Sequence, residues 1–263
     1  MLLIADNLQI INKTVEKALN SMESEPIKQI VIKCEKAGAQ AIDINPGSLK
    51  KGAEKMAFLV KTVQKVSDLP VLLDTANFYA MEAGLQANKK KAIINGFSIV
   101  PEKLNSMLYL AKQYDVDIIG YLLDKNGHVP STANERLNVA VEIYNEFVKS
   151  GIKKERLIID PVIVPITWQN GNQHAQDVLF VLKMLPELLG FPVKTVAGLS
   201  NLTSGAKCRA KKLLLEKVYI PMLAISGLDM VLLNIFHHKT VKAANVCNTI
   251  LNSKIFAWEE ISE

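Results

Sequence analysis

Short apolar runs alternate with longer amphipathic stretches along the whole chain. The run that ends at Asp160 is rich in β-branched residues and is closed by Pro161, which is typical of a strand buried on both faces of a parallel sheet. Between such runs, apolar residues recur three and four positions apart, as expected for helices with one buried face. The pattern predicts strands at 2–5, 39–45, 70–74, 91–95, 116–124, 156–160, 194–201 and 230–234, and helices near 13–20, 25–37, 51–66, 78–88, 101–114, 134–149, 175–189, 207–225 and 239–251.

The regular alternation implies parallel strand–helix–strand units. About eight units in 263 residues predict one domain, 1–263, folded as a closed (β/α)8 TIM barrel with its site at the C-terminal strand ends. An open doubly wound sheet is the alternative. It is weakened because no glycine-rich phosphate loop follows the first strand.

Most of the predicted strands end at an acid or an amide. Because the C-terminal ends of barrel strands converge on one mouth, these side chains would gather there. Carboxylates accept two N–H donors side by side, and amides match an edge that mixes donors and acceptors, so the ring suits a flat ligand such as guanine or a pterin. The strand-terminal residues are Asp6, Asp43 or Asn45, Asp74, Asn95, Asp124, Asp160, Asn201 and Asn234.

These residues also have a purely structural interpretation. An Asp or Asn at the end of a strand often caps the following helix, and we expect this role for Asp6, Asp43 and Asn234. A turn-forming role and a functional role have equal weight for Asp124, which precedes a Lys-Asn-Gly sequence. The runs before four other residues are too apolar for surface loops and favour function. These four are Asp74, Asn95, Asp160 and Asn201.

The composition is that of a globular enzyme, with 49% hydrophobic and 22% charged residues. The three cysteines are far apart and the four histidines lack ligand spacing, which predicts a reducing cytoplasm, no disulfides and no metal bound by this chain. The net charge of +5 includes lysine clusters without interleaved aromatics, so we expect no nucleic-acid partner. No apolar run approaches the ~20 residues of a membrane span, and no signal peptide is expected.

Four segments carry a resemblance to a known family. They are 71–77 (VLLDTAN), 93–96 (IING), 158–161 (IIDP) and 195–201 (TVAGLSN). In order and spacing they resemble the pterin-binding methyltransferases, and most closely the methyltetrahydrofolate:corrinoid (iron–sulfur) protein methyltransferases. The resemblance extends over nearly the full chain, and the Gly-Leu-Ser-Asn sequence that ends at Asn201 is its most specific part.

The resemblance implies a reaction and a site. A methyl group would move between N5 of tetrahydrofolate (as 5-methyltetrahydrofolate) and the cobalt of a corrinoid. The chain has no Asp-x-His-x-x-Gly corrinoid motif, so a separate corrinoid protein would carry the cobalamin. By the same resemblance Asn201 would be the catalytic residue beside N5, and a homodimer is expected. The substrate-binding residues would be Asp74, Asn95, Asp160, Gly198, Ser200 and Asn201.

One departure and two alternatives accompany this resemblance. The family's first strand usually ends Gly-Glu-Arg-x-Asn, whereas residues 5–9 are ADNLQ here. A dihydropteroate synthase-like enzyme is the nearest alternative, but its patterns for a pyrophosphate leaving group (Asp-Pro-Gly, Ser-Arg-Lys and Arg-x-His) are missing from the chain. A non-catalytic folate-binding barrel is the other alternative.

Overall fold

Eight parallel strands form a closed barrel in chain order in this computed structural model, which describes residues 1–47, 51–252 and 257–258. The first strand pairs with both the second and the last. The predicted (β/α)8 barrel is therefore confirmed, and the open sheet is wrong because it would leave its outer strands unpaired on one side. The strands are β1 (Leu2–Gln9), β2 (Ala41–Asn45), β3 (Val71–Asp74), β4 (Ala92–Phe97), β5 (Asp117–Tyr121), β6 (Leu157–Asp160), β7 (Lys194–Gly198) and β8 (Met230–Leu233).

Helices follow the strands and pack around the outside of the barrel. They are α1 (Lys13–Ser21), α2 (Ser24–Lys36), α3 (Gly52–Val63), α4 (Phe78–Ala87), α5 (Pro101–Tyr114), α6 (Ala133–Lys149), α7 (Gly171–Leu189), α8 (Arg209–Ile225) and α9 (His238–Leu251). Local sequence sets several of their ends. Pro101 opens α5 as predicted, and Gly38, with φ +95, follows α2. Thr132 and Glu135 form a capping box at the start of α6.

Three predicted strand ends are wrong by three residues or more. β1 continues past Asp6 to Gln9, because the buried Leu8 rejoins the pairing with β2 after an irregularity in the register. β5 stops at Tyr121, and the chain then leaves the sheet for a turn at Asp124. β7 stops at Gly198, where a 3-10 turn (Leu199–Thr203) begins.

Side chains along the strands alternate between two apolar layers. One layer lies between the barrel and its helices, and the other fills the barrel interior near the beginnings of the strands. The residue two positions further along each strand points into the same interior, closer to the C-terminal end. The interior apolar residues are Ile4, Ala41, Leu72, Ile119, Ile158, Val196 and Met230.

The helices of the described part of the chain are too short or too polar to cross a membrane. They serve instead as the outer wall against which the strands bury their second face.

Candidate active site

A polar layer lies above the apolar interior of the barrel because strand side chains repeat with a period of two. The residues two positions after Leu72, Ile93 and Ile158 are an acid, an amide and an acid. The structure therefore brings three of the predicted site residues, from β3, β4 and β6, to the same end of the barrel. The inward residues of this layer are Asp6, Asp43, Asp74, Asn95, Tyr121 and Asp160.

A chain of hydrogen bonds fixes the amide of Asn95 from both sides. The Tyr121 hydroxyl donates to Asn95 Oδ1 at 2.6 Å. Asn95 Nδ2 in turn donates to Asp43 Oδ1 at 3.2 Å. Because its oxygen accepts from one neighbour and its nitrogen donates to the other, the orientation of the Asn95 amide is determined.

The neighbouring carboxylate of Asp74 is held in the same way. Asn45 Nδ2 donates to Asp74 Oδ2 at 2.7 Å, and Asn45 Oδ1 accepts from the N–H of Gly47. Asp74 and Asn95 lie opposite each other across the β3–β4 pair. Their side chains can therefore contact one face of the same ligand.

Asp160 is anchored by the turn that follows its strand. Pro161 ends β6, and the next peptide N–H, that of Val162, donates to Asp160 Oδ1 at 2.7 Å. The described residues provide no hydrogen bond to the second oxygen of this carboxylate, which is 8% exposed. That oxygen is available as an acceptor for a ligand N–H.

The segment 198–201 folds back over the end of β7. A Cβ added to Gly198 would lie 3.0 Å from Asn201 Nδ2, so a residue without a side chain suits this position. Ser200 Oγ donates to Asp6 Oδ2 at 2.9 Å, which ties the 3-10 turn to β1. Asn201 itself is exposed on that turn.

A buried carboxylate on α8 supports the same turn. Glu216, 2% exposed, accepts from Thr203 Oγ1 at 2.6 Å and contacts His237 Nδ1 at 2.8 Å. Lys212 Nζ lies 3.7 Å from the same carboxylate. His237, just before α9, is therefore held beside the 3-10 turn by Glu216.

Burial and mutual repulsion raise the pKa values of Asp43 and Asp74. Burial, and then the charge of Asp74, raise the pKa of Asp43 well above its usual range. Burial also raises the pKa of Asp74 to about 6, although the hydrogen bond from Asn45 partly offsets the effect. Asp43 Oδ2 is buried without a partner among the described residues. Because the two charges repel each other, this pair holds a proton to a higher pH than isolated carboxyl groups would.

Two further acids of the layer have raised pKa values. Burial raises the pKa of Asp160 to about 7, against the opposing effects of the Val162 N–H and the Arg136 guanidinium. Burial also raises the pKa of Asp6, while the hydrogen bond from Ser200 lowers it. Clusters of perturbed acids without a structural ion pair are typical of binding and catalytic sites.

Two adjoining cavities open at this end of the barrel and meet at Asp74. One has a volume of about 170 Å³ and is lined by Asp74, Asn95 and Tyr121, among others. The other has about 500 Å³ and includes Asn45 and Asn77. Asp160, Gly198, Ser200 and Asn201 line neither of these two cavities.

Four structural interpretations made from the sequence have a clear outcome. The helix-cap role is wrong for Asp6 and Asp43, which lie inside strands and bond to Ser200 and Asn95. It is also wrong for Asn234, whose Oδ1 accepts from Asn7 and from the N–H of Phe236 before α9 begins. For Asp124 the turn-forming interpretation holds, because its Oδ1 accepts from the N–H groups of Asn126 and His128.

Tyr121 was not predicted as part of this layer, because it lies within the predicted strand 116–124. Asp43 was predicted at the barrel mouth, but with the role of a helix cap. The period of two, counted from Ile119 and Ala41, would have found both, since each stands two positions after an interior residue.

Comparison with known proteins agrees with this geometry. Residues 8–234 match the family described as pterin binding enzymes. A curated relative, the methylcorrinoid:tetrahydrofolate methyltransferase of Eubacterium limosum, is 21% identical over 234 residues, which is 87% of this chain and 83% of the relative.

Solved structures of low sequence identity share the fold. The dihydropteroate synthase of Xanthomonas albilineans in complex with 7,8-dihydropteroate is 19% identical, with a TM-score of 0.67 over 95% of this chain and 92% of that chain. The Yersinia pestis dihydropteroate synthase with a sulfonamide drug is 15% identical, with a TM-score of 0.70 over 96% and 94%. The family match covers most of the chain and includes every residue of the polar layer except Asp6; this protein belongs to the pterin-binding enzyme family.

Proposed function

We propose that this protein transfers a methyl group between N5 of tetrahydrofolate and the cobalt of a corrinoid that a separate protein carries. The observation that carries the proposal is the juxtaposition of Asp74, Asn95 and Asp160 at one end of the barrel, with Asn201 on the adjoining turn. The named relative from Eubacterium limosum supports both the folate and the corrinoid.

The acceptors match the donors of a pterin. The 2-amino-4-oxo pyrimidine edge presents adjacent N–H groups, which a carboxylate can accept side by side in a charge-assisted arrangement. In the proposed complex Asp160 accepts from this edge through its second oxygen, while Asp74 and Asn95 contact the ring nitrogens. Gly198 and Ser200 shape the turn on which Asn201 approaches N5.

The proposed chemistry is a reversible displacement at the methyl carbon. In one direction Co(I) of the corrinoid attacks the methyl group, the N5–methyl bond breaks, and N5 takes up a proton to leave as a neutral amine. The products are tetrahydrofolate and methyl–Co(III). In the other direction N5 attacks the methyl group of methyl–Co(III), the cobalt–carbon bond breaks and leaves its electron pair on cobalt as Co(I), and N5 then loses its proton.

The amide of Asn201 cannot supply that proton, because it does not titrate at neutral pH. Its proposed role is to orient N5 and to hydrogen-bond it as its charge changes, which is electrostatic stabilisation of the transition state. The proton passes through water or a nearby carboxyl group. The carboxyl group of Asp6 contacts the same turn through Ser200.

Replacing Asn201 by Ala separates chemistry from binding. We expect methyl transfer to fall roughly 10²–10³-fold, the usual cost of one stabilising donor, while 5-methyltetrahydrofolate still binds. An optical assay with cob(I)alamin and 5-methyltetrahydrofolate measures the first quantity, and titration calorimetry the second. Asn126→Ala, an exposed amide on the turn after β5, is the matched control. Tight folate binding without turnover, even with a corrinoid protein, would instead support a binding module.

A homodimer is the second part of the proposal. α8 presents an exposed apolar stripe in which Leu214, Val218 and Ile225 are 63%, 55% and 66% exposed. An apolar stripe of this kind on a soluble barrel marks an interaction surface. Sedimentation equilibrium would show twice the mass of one chain, and a monomer at micromolar concentration would contradict the homodimer. A cytoplasmic location belongs to the same proposal.

A further inference from the structure

Arg136 is a buried cation without a contacting acid. Its side chain, on α6, is completely buried, and no carboxylate oxygen of the described residues lies within 4.0 Å of its guanidinium. Nη1 donates to the carbonyls of Pro161 and Val162 at 2.5 and 3.0 Å. Nη2 contacts His174 Nδ1 at 2.9 Å, and Nε is buried without a partner among the described residues.

Such an arrangement is costly for a fold, because a buried charge is normally paired. The nearest acids act only at longer range. Asp177 and Asp160, together with the hydroxyl group of Tyr219, favour the charged form of the guanidinium and so partly offset the cost of its burial. Asp177 uses one oxygen to accept from Gln173, and its other oxygen is buried and unpartnered among the described residues.

The contacts of Arg136 converge on one peptide group. The carbonyl of Pro161 and the N–H of Val162 belong to the same peptide plane. Arg136 donates to the oxygen of this plane, and the N–H on its other side donates to Asp160 Oδ1 at 2.7 Å. A continuous line of hydrogen bonds therefore runs from the guanidinium through a single peptide to the carboxylate.

The same peptide leads into an unfavourable backbone conformation. Val162 has φ +62, a left-handed value that β-branched residues rarely adopt. Arg136 also binds the carbonyl of Val162, so it holds the residue on both sides. A strained residue persists where surrounding contacts determine its position, and here these contacts come from the buried guanidinium.

We infer that Arg136 is the positioning residue for Asp160: it fixes the Pro161–Val162 peptide so that one carboxylate oxygen is occupied and the other faces the ligand, and its positive charge favours the ionised form of this carboxylate. This role rests on the proposed function in one respect, namely that the ligand of Asp160 is a pterin.

The charge of Arg136 changes the pKa of Asp160 in a known direction. Burial raises the pKa of Asp160 to about 7, and the charge of Arg136 acts in the opposite direction. The other groups around the guanidinium are Asp177, Tyr219 and His174. Burial and then the charge of Arg136 lower the pKa of His174, so at neutral pH its ring is uncharged and accepts the Nη2–H. Removal of Arg136 therefore moves the ionisation of Asp160 to higher pH.

The test compares variants of Arg136 that differ in charge and in the hydrogen bonds they can donate. Arg136→Met removes the charge and the hydrogen bonds, and Arg136→Gln removes the charge but keeps a donor. Arg136→Lys keeps the charge, although an ammonium cannot reproduce the planar fork. Val139→Ala, a buried residue of the same helix, controls for a general loss of stability.

Carbon-13 NMR of the ligand-free protein gives the first readout. The carboxyl resonance of Asp160, assigned with Asp160→Asn, is followed from about pH 5 to about pH 9. We expect its midpoint to rise in Arg136→Met and Arg136→Gln and to stay in place in Arg136→Lys and Val139→Ala. If the Met variant does not fold, the Gln and Lys variants decide the question.

Calorimetry with 5-methyltetrahydrofolate gives the second readout. At pH 7 we expect about fivefold weaker binding in Arg136→Gln, because a rise of one unit from a pKa of about 7 lowers the ionised fraction of Asp160 from about one half to about one tenth. The affinity should recover at higher pH, where Asp160 ionises. An unmoved Asp160 midpoint in Arg136→Gln, or an equal loss of affinity in Val139→Ala, would overturn the assignment. If the native protein binds no folate, the proposed function fails, while the NMR titration still decides the role of Arg136.

Discussion

The two ends of the barrel use the same acidic residue type in opposite ways. At the N-terminal end, Asp117 lies 3.3 Å from Arg156 and 3.4 Å from Lys194, and Asp115 lies 2.5 Å from Arg156. At the C-terminal end, Asp43 and Asp74 contact amides rather than cations. The first set is neutralised within the protein, whereas the second retains unmet hydrogen-bonding capacity.

Cavity size alone would select the wrong end. A cavity of about 830 Å³, larger than both cavities at the C-terminal end, lies at the N-terminal end and is lined by residues such as Leu2, Val116 and Met230. Its acids are already paired, and Asp229 accepts from the N–H and hydroxyl of Thr195. The smaller C-terminal cavities share Asp74, whose pKa is raised to about 6. In barrels of this kind, residues at the N-terminal end serve stability and those at the C-terminal end serve function.

The largest effect that we expect in this comparison comes from Asp160→Asn. The substitution replaces a two-site acceptor by a group that is half donor, and it leaves a ligand N–H unmatched. We expect pterin affinity at neutral pH to fall about 100-fold, in line with the loss of a hydrogen bond to a charged group. Titration calorimetry with 5-methyltetrahydrofolate measures the change, and unchanged affinity would remove Asp160 from the site.

A smaller effect concerns the pH dependence of stability. Carboxyl groups whose pKa is raised on folding bind protons more tightly in the native state, so stability falls as pH rises from about 4, the unfolded value, through the folded values. Asp74, with a pKa of about 6, contributes up to roughly 3 kcal/mol to this fall.

Asp43→Asn should make that fall shallower. It removes one raised acid and the repulsion that Asp43 and Asp74 exert on each other, while an amide oxygen can still accept from Asn95. Urea unfolding of the ligand-free protein between about pH 4 and about pH 8 measures the slope. A slope equal to that of the native protein would mean that the two acids do not interact.

The smallest effect is expected at the N-terminal end and serves as the control for both variants above. Asp117→Asn loses its contacts with Arg156 and Lys194, which are partly exposed to solvent. We expect it to lower the free energy of unfolding by about 0.5–1 kcal/mol and to leave pterin affinity unchanged. Weakened pterin binding in this variant would contradict the assignment of stability to the N-terminal end and of binding to the C-terminal end.

The sequence predicted the barrel, and it predicted polar residues at the C-terminal end of the barrel, for identifiable reasons. Apolar runs separated by amphipathic stretches define eight strand–helix units, and a run closed by Pro161 marks the end of β6 at Asp160. Asp74, Asn95 and Asp160 were predicted as site residues because each directly ends an apolar run, and the structure places all three at the same end of the barrel.

Other residues could not be predicted because their roles depend on contacts between distant elements. Arg136 lies on an amphipathic helix, where a charged residue usually faces solvent, and only the closed barrel shows it buried against the turn after β6. Glu216 similarly meets Thr203 and His237 only because α8, the 3-10 turn and the start of α9 converge. Tyr121, in contrast, could have been predicted from the sequence, because it stands two positions after the interior residue Ile119 on the same strand.

The most direct test mixes the purified protein with cob(I)alamin and 5-methyltetrahydrofolate and follows the visible spectrum. The account predicts conversion of cob(I)alamin to methylcobalamin at a rate proportional to protein concentration, with the rate strongly reduced in Asn201→Ala. A protein that binds the folate but leaves the cob(I)alamin spectrum unchanged, and that instead forms dihydropteroate from a pterin pyrophosphate and 4-aminobenzoate, would contradict it.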